Sequence, residues 1–300
     1  MSARRTRRLL ATLAVAAILM SAAPACSRKE SSSHRTPEAD QVAGSYLELE
    51  GLSFVLDGSI WTIEDGAPHT VLDGVDPWSL RTSSTGESIT WIQPVGSDAQ
   101  FMGALKRDWR PEPIWTTDLG PMLAEAVHDD QSDTVWYSVS GDATSTIGVF
   151  ERAEDGQPSN IPLTFEPFYS FTLDARDGSL IVISSTQAPA RLYRVGDTID
   201  MLFEAASIFS PRVSPDGQTI VMTGAMDGSQ NIGLWLYDVT SATLTQASVG
   251  PGVPTDPAWS PQGKHIAFRD TETGTVWTVN AKGGDAKDSG LVAAEGGLAW

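Results

Sequence analysis

The chain has 300 residues, 41% of them hydrophobic, with 27 Gly, 18 Pro, 10 Trp and a single Cys. It is long enough to bury a substantial core, suits short strands joined by turns, and cannot form an intrachain disulfide. The formal charge is −18, and leaving out residues 1–25, which hold Arg4, Arg5, Arg7 and Arg8 and no acid, takes it to −22; a surface this acidic repels phosphate backbones, excludes a nucleic-acid partner and serves solubility first.

The N-terminus reads as an address. Arg4 to Arg8 form a basic region, Leu9 to Met20 an apolar run, and Ser21-Ala22-Ala23-Pro24-Ala25 a small-residue segment before Cys26. That order of parts predicts a signal peptide over residues 1–25, too short for a comfortable membrane span. Thr6-Arg7-Arg8-Leu9-Leu10 loosely resembles a twin-arginine signal, but paired arginines also occur in ordinary secretory leaders, so the export route stays open. Ala23-Pro24-Ala25-Cys26 resembles the lipobox of bacterial lipoproteins, with Ala23 where Leu is usual. The same tripeptide is an A-x-A cleavage site that would release a soluble protein. The only cysteine of the chain falls at the acylated position, which favours lipidation of Cys26. Residues 26–44, with Ser31-Ser32-Ser33 and no apolar periodicity, then read as a flexible tether of roughly 25 Å root-mean-square span.

From residue 45 to the end a single domain of repeats is expected. Gly51, Gly86, Gly178, Gly217 and Gly263, with Ser132 standing for a sixth glycine, are spaced 35, 46, 46, 39 and 46 residues apart. Three residues after each anchor stand Phe54, Ile89, Val135, Ile181, Ile220 and Ile266; five after stand Leu56, Trp91, Tyr137, Ile183, Met222 and Phe268. A turn residue followed by apolar side chains two apart marks a hairpin entering a half-buried strand, and a period near 40–45 residues is that of a four-stranded propeller blade. Second strands follow at Ile60-Trp61-Thr62-Ile63, Ala190 to Tyr193, Gly233 to Tyr237 and Thr275 to Val279, a polar outer strand at Ala242 to Gln246, and short inner segments precede the anchors at Arg212-Val213-Ser214 and Ala258-Trp259-Ser260. The prediction is an all-β, six-bladed β-propeller of four-stranded antiparallel blades, which leaves only short sheet edges.

Val213-Ser214-Pro215-Asp216-Gly217-Gln218-Thr219-Ile220-Val221 and Trp259-Ser260-Pro261-Gln262-Gly263-Lys264-His265-Ile266-Ala267-Phe268 resemble the S-P-D-G-x-x-I repeat of TolB-type, WD-like (PD40) β-propellers. Leu234-Trp235-Leu236-Tyr237-Asp238-Val239 is similar to the strand that follows it there. The resemblance covers residues from about 50 onward and implies a propeller in an extracytoplasmic setting, without catalytic residues to carry over. The C-terminal Gly296-Gly297-Leu298-Ala299-Trp300 repeats the Ala258-Trp259 segment and is expected to supply the inner strand missing from the first blade, joining the two termini. Tyr46-Leu47-Glu48-Leu49 is the competing candidate for that strand.

Catalytic motifs are scarce: there is no G-x-S-x-G, H-E-x-x-H, C-x-x-C or P-loop pattern. His34, His69, His128 and His265 are scattered and read as surface residues rather than metal ligands. Acid-Pro pairs at Asp76-Pro77, Glu166-Pro167 and Asp256-Pro257 precede inner strands of alternate blades. The carboxylates of Asp76, Glu166 and Asp256 are candidates for a ring at the channel mouth that attracts a cation or a basic peptide, although turn chemistry alone accounts for each pair. Trp61, Trp235 and Trp277 occupy equivalent positions and read as packing between blades. Arg107, Trp109 and Arg110 form a candidate partner-contact loop. The functional expectation is a monomeric, non-catalytic lipoprotein without a cofactor, held at the outer face of the cytoplasmic membrane and binding an envelope or membrane protein. The alternatives are a lactonase- or glycosidase-like hydrolase using a divalent cation at those carboxylates, and a ligand sensor coupled to a membrane receptor.

Overall fold

The computed structural model describes residues 46–95, 99–106, 111–117, 123–140, 145–151, 159–161, 170–184, 189–226, 231–247 and 249–300. These residues form four-stranded antiparallel sheets, each a ladder of hydrogen-bonded neighbours. The first sheet runs β24 (Leu298–Ala299), β1 (Ser53–Leu56), β2 (Ser59–Glu64) and β3 (Ala67–Leu72). The second runs β4 (Ser79–Thr82), β5 (Ser88–Val95), β6 (Ala99–Lys106) and β7 (Pro111–Thr117). The third holds β8 (Leu123–Asp129), β9 (Thr134–Ser140), β10 (Ser145–Glu151) and β11 (Ser159–Ile161). The fourth holds β12 (Ser170–Leu173), β13 (Leu180–Ser184), β14 (Ala190–Val195) and β15 (Ile199–Ala205). The fifth is β16 (Ser207–Val213), β17 (Thr219–Ala225), β18 (Gly233–Asp238) and β19 (Thr243–Gln246). The sixth is β20 (Pro254–Trp259), β21 (His265–Asp270), β22 (Thr275–Asn280) and β23 (Lys287–Val292).

The apolar positions after each anchor make the core. Phe54, Ile89, Val135, Ile181, Ile220 and Ile266 are all buried, as are Trp91, Tyr137, Ile183, Met222 and Phe268, while Leu56 is half-buried. Five of the anchors, Gly51, Gly86, Gly178, Gly217 and Gly263, have positive φ, the region where a Cβ is costly. The third repeat solves the same turn differently: the left-handed residue is Asp133 (φ 52°), one position past the expected Ser132. The two sharpest repeats share a turn chemistry in which side-chain oxygens cap freed backbone amides. Ser214 Oγ accepts from Thr219 N (3.0 Å) while Asp216 Oδ1 accepts from Gln218 N (3.0 Å), and Ser260 Oγ accepts from Lys264 N and His265 N (3.1 and 3.0 Å). Trp61, Trp235 and Trp277 are partly buried against separate apolar clusters. The outer strand β19 is exposed along its length, matching its polar sequence.

Packing between sheets runs through their inner strands. β4 contacts β8, β8 contacts β12, β12 contacts β16, β16 contacts β20, β20 contacts β24 and β24 contacts β4. The C-terminal residues pair with the start of the first sheet, Ser53 opposite Ala299 and Phe54 opposite Leu298. Leu47–Leu49 is a turn of 3-10 helix, so it is β24 that completes the first sheet. Trp300 ties this strand down: its indole Nε1 donates to Glu50 O (2.9 Å) and its backbone N to Thr82 Oγ1 (2.8 Å).

Candidate functional site

Bulges in the inner strands build the site. In β16 the register slips between Phe209 and Arg212, so Ser210 and Pro211 together face Met222 alone; in β20 it slips between Thr255 and Ala258, setting Asp256 and Pro257 against Phe268. Ser210 (φ 47°) and Asp256 (φ 51°) are left-handed, each at the extra residue of its bulge. Bulges re-aim side chains, and these two send Ser210 and Asp256 to a common cavity of about 110 Å³ lined also by Trp78, Arg81, Glu125, Arg212 and the Gly296-Gly297 backbone. The lining comes from β4, β8, β16, β20 and the approach to β24. A second cavity, lined by Thr82 to Gly86, Val127, Leu173, Arg212, Trp259 and Trp300, lies toward the anchor turns, and Arg212 borders both.

Charges within this lining are unequally compensated. Arg81 and Glu125 form an ion pair in which both side chains are largely buried. Glu125 also accepts from Ser170 Oγ (2.8 Å) and Phe171 N (2.9 Å), so its acceptor capacity is committed. Burial pushes the Asp256 carboxyl above its usual range; the Arg81 and Arg269 guanidiniums oppose this and Glu295 adds to it. Asp256 is half-buried and lines the cavity. Arg269 Nε donates to Ala293 O (2.8 Å).

A second polar cluster sits between the second and third sheets. His128 is buried, with Nδ1 3.1 Å from Asp130 Oδ1 and 2.9 Å from Ser88 Oγ, and Nε2 3.1 Å from Asp133 Oδ1. Burial alone would lower its pKa, but the hydrogen bonds and charges of Asp130 and Asp133 outweigh it and the pKa is raised. Burial would raise the Asp130 carboxyl, but hydrogen bonds from His128, Ser83, Thr85 and Ser88 hold it well below the usual carboxylate range. This corrects the surface reading of the histidines for one of them: His69 and His265 are exposed, whereas His128 is an internal link between sheets.

Of the candidate carboxylates, Asp256 lines the first cavity. Asp76 is exposed in the β3–β4 connection, its backbone N bonded to Gly58 O (2.8 Å), and is not part of that lining. Glu166 lies outside the described residues, as do Cys26, Arg107, Trp109, Arg110 and His34. Among the described residues no group of three His, Cys, Asp or Glu is placed to hold a metal. The sequence reading missed Arg81, Glu125, Ser210 and Arg212. A signal was present: counted seven residues back from Gly86, Ser132, Gly217 and Gly263 stand Ser79, Glu125, Ser210 and Asp256, all in the cavity wall. Acid-Pro spelling drew attention instead to Asp76, ten residues before its anchor.

No family model and no curated protein matches the chain. Among solved structures it is similar to TolB from Acinetobacter baumannii, with a TM-score of 0.64 at 15% identity over 83% of this chain and 66% of that one. A chain of the nidogen/laminin complex aligns with a TM-score of 0.62 at 13% identity, covering 83% of this chain and 97% of that one. The tricorn protease aligns with a TM-score of 0.62 at 14% identity over 81% of this chain and 25% of that one. At such identities the likeness is one of fold: the chain is an all-β protein of TolB-like propeller architecture, built from four-stranded antiparallel sheets.

Proposed function

We propose that this protein is an exported, lipid-anchored β-propeller of six blades, closed by the pairing of β24 with β1, that works without catalysis as a binding scaffold for another protein at the outer face of the cytoplasmic membrane. The observation that supports the scaffold reading is that each inner strand contacts the next, β24 and β4 included; a propeller ring of this kind would offer its two ends as faces for recognition. The state of the polar groups supports a non-catalytic role. Glu125 is engaged by Arg81, Ser170 and Phe171, and both His128 nitrogens are held by carboxylates, so neither group is available to move a substrate proton. Export and anchoring rest on the order of residues 1–26. The TolB-like fold is consistent with an envelope setting, and it names no partner.

The test is intact mass and membrane fractionation of the mature protein beside a Cys26→Ala variant. A mass increased by acyl chains, with membrane association lost in the variant, is the expected result. An unmodified chain beginning at Cys26 and recovered in the soluble fraction would overturn the anchor.

A further inference from the structure

Among the described residues, Arg212 on β16 and Asp256 on β20 are two charged side chains of the cavity wall that no ion pair takes up. Arg81 is paired with Glu125, and Arg176 and Arg194 with Asp174; Arg269, which is not in the cavity lining, donates through Nε to the Ala293 carbonyl. Among the described residues Arg212 makes no ion pair; its Nη1 donates to Pro211 O (2.7 Å), which occupies one of five guanidinium donors. Its position is nonetheless tightly set. The Ser210-Pro211 bulge fixes the strand just before it, and the Trp259 indole donates to Arg212 O (3.1 Å) from the neighbouring sheet. A half-buried guanidinium held at the border of two cavities, with no ion pair among the described residues, has lost part of its hydration and gained little in return.

We propose that the cavity between the inner strands binds a small organic carboxylate, gripped by the Arg212 guanidinium, with the Ser210 hydroxyl on the same strand and Asp256 on β20 lining the same space. The planar fork of arginine matches a carboxylate through two parallel hydrogen bonds. A volume of about 110 Å³ suits an anion of a few heavy atoms. A cation is disfavoured, because Arg81, Arg212 and Arg269 all stand near the one acid of the wall that lacks an ion pair. Asp256 makes the site proton-linked: ionised, it repels the ligand; protonated, it can donate to it. The groups that set its charge are Arg81 and Arg269, which favour ionisation, and Glu295, which with burial opposes it; Glu125 shares the cavity wall but is neutralised by Arg81. The carboxylate can come from a free acid or from a chain end threaded through either cavity, since Arg212 borders both. This inference concerns the channel and does not depend on the membrane anchor.

The experiment is calorimetric titration of the full purified chain at fixed ionic strength with four probes: sodium acetate, the tripeptide Gly-Gly-Ala as free acid, its C-terminal amide, and sodium sulfate. Binding of acetate identifies a free acid as sufficient, and binding of the tripeptide acid alone identifies a chain end; both support the site. Arg212→Gln is expected to weaken binding about tenfold or more, and Arg212→Lys less, since it keeps the charge and loses the fork. Wild-type affinity rises as the pH is lowered, whereas Asp256→Asn shows no such rise. This second variant tests the site even if the arginine variant fails to fold. No binding of either carboxylate, equal binding of acid and amide, sulfate binding as tight as carboxylate, or unchanged affinity in a folded Arg212→Gln would each overturn the proposal.

Discussion

The first and sixth sheets share one strand order and differ in how the inner strand is obtained. β20 precedes β21 directly in the chain and pairs with it through Pro254, Thr255, Ala258 and Trp259 around a bulge. β24 arrives from the far end of the chain and pairs with β1 only through Leu298 and Ala299. A distant partner carries a larger loop-closure cost than a neighbouring one, and here it is met with a shorter ladder. Side-chain anchoring makes up the difference. Trp259 uses its indole once, on Arg212 O, whereas Trp300 fixes Glu50 O with its indole, Thr82 Oγ1 with its backbone N, and accepts from Thr82 Oγ1 at its carbonyl (3.3 Å). Trp300 thus binds the first sheet and the second at once, while a contiguous sheet relies on its ladder.

The comparison breaks most completely at the terminus. Removing Leu298 to Trp300 exposes the edge of β1 and frees the groups on Glu50 and Thr82, so loss of cooperative thermal unfolding is expected. Trp300→Ala alone, at a residue 4% exposed, should cost about 3–5 kcal/mol. Thermal melting followed by near-ultraviolet circular dichroism reads both. A truncated chain that melts like wild type would show that the first sheet stands without its inner strand.

A smaller effect sharpens the same pair of sheets. By register, Gly297 occupies in the first sheet the place of Ala258 in the sixth, each one residue before the partner of the apolar position after the anchor. Gly297 has φ 103°, and a Cβ there would meet Leu80 O at 2.7 Å and Leu80 N at 3.1 Å. Gly297→Ala should therefore cost about 2–3 kcal/mol, combining left-handed strain with displacement of a strand backbone. The reciprocal Ala258→Gly should cost about 1 kcal/mol, as ordinary backbone freedom would. Equal losses in urea melts of the two variants would remove the idea that β24 lies unusually close to β4.

The fold was legible where repeats spell themselves out. Ser214-Pro215-Asp216-Gly217 and Ser260-Pro261-Gln262-Gly263 carry their turn in the residue types, because a capping hydroxyl and a left-handed glycine are each required by the geometry. The third repeat could be found only by its apolar spacing, and even then the left-handed residue was displaced from Ser132 to Asp133. The site was harder to read. Only Asp256 was singled out, through a proline pairing it shares with Ser210-Pro211, which has no acid to attract notice. Arg81, Glu125 and Arg212 lie on three different sheets, and bulges shift the register of β8 and β16, which carry two of them, by a residue. Position counted from the anchor is the information that survives in sequence; local spelling is not.

His128 supplies the smallest and most specific test, because it takes in the third sheet the place that Trp259 takes in the sixth, opposite Val135 as Trp259 is opposite Ile266. One sheet fills that place with an indole and the other with an imidazole whose two nitrogens both face carboxylates, an arrangement that only the imidazolium satisfies as donor on both sides. Its folded pKa is raised above the ordinary 6.5, so the stabilisation is fully present below about that pH and is lost as pH rises through the folded value. Asp130, held below the usual carboxylate range, acts on the acid side, since its contribution is lost only as pH falls through its own depressed value. Between pH 6 and pH 9 the wild-type melting temperature should decline, by less than either substitution above produces, and His128→Gln should melt lower at pH 6 with a flat profile across the same window. A wild-type profile as flat as the variant's would mean that His128 is neutral in the folded protein, with Ser88 rather than Asp130 as the partner that orients its ring.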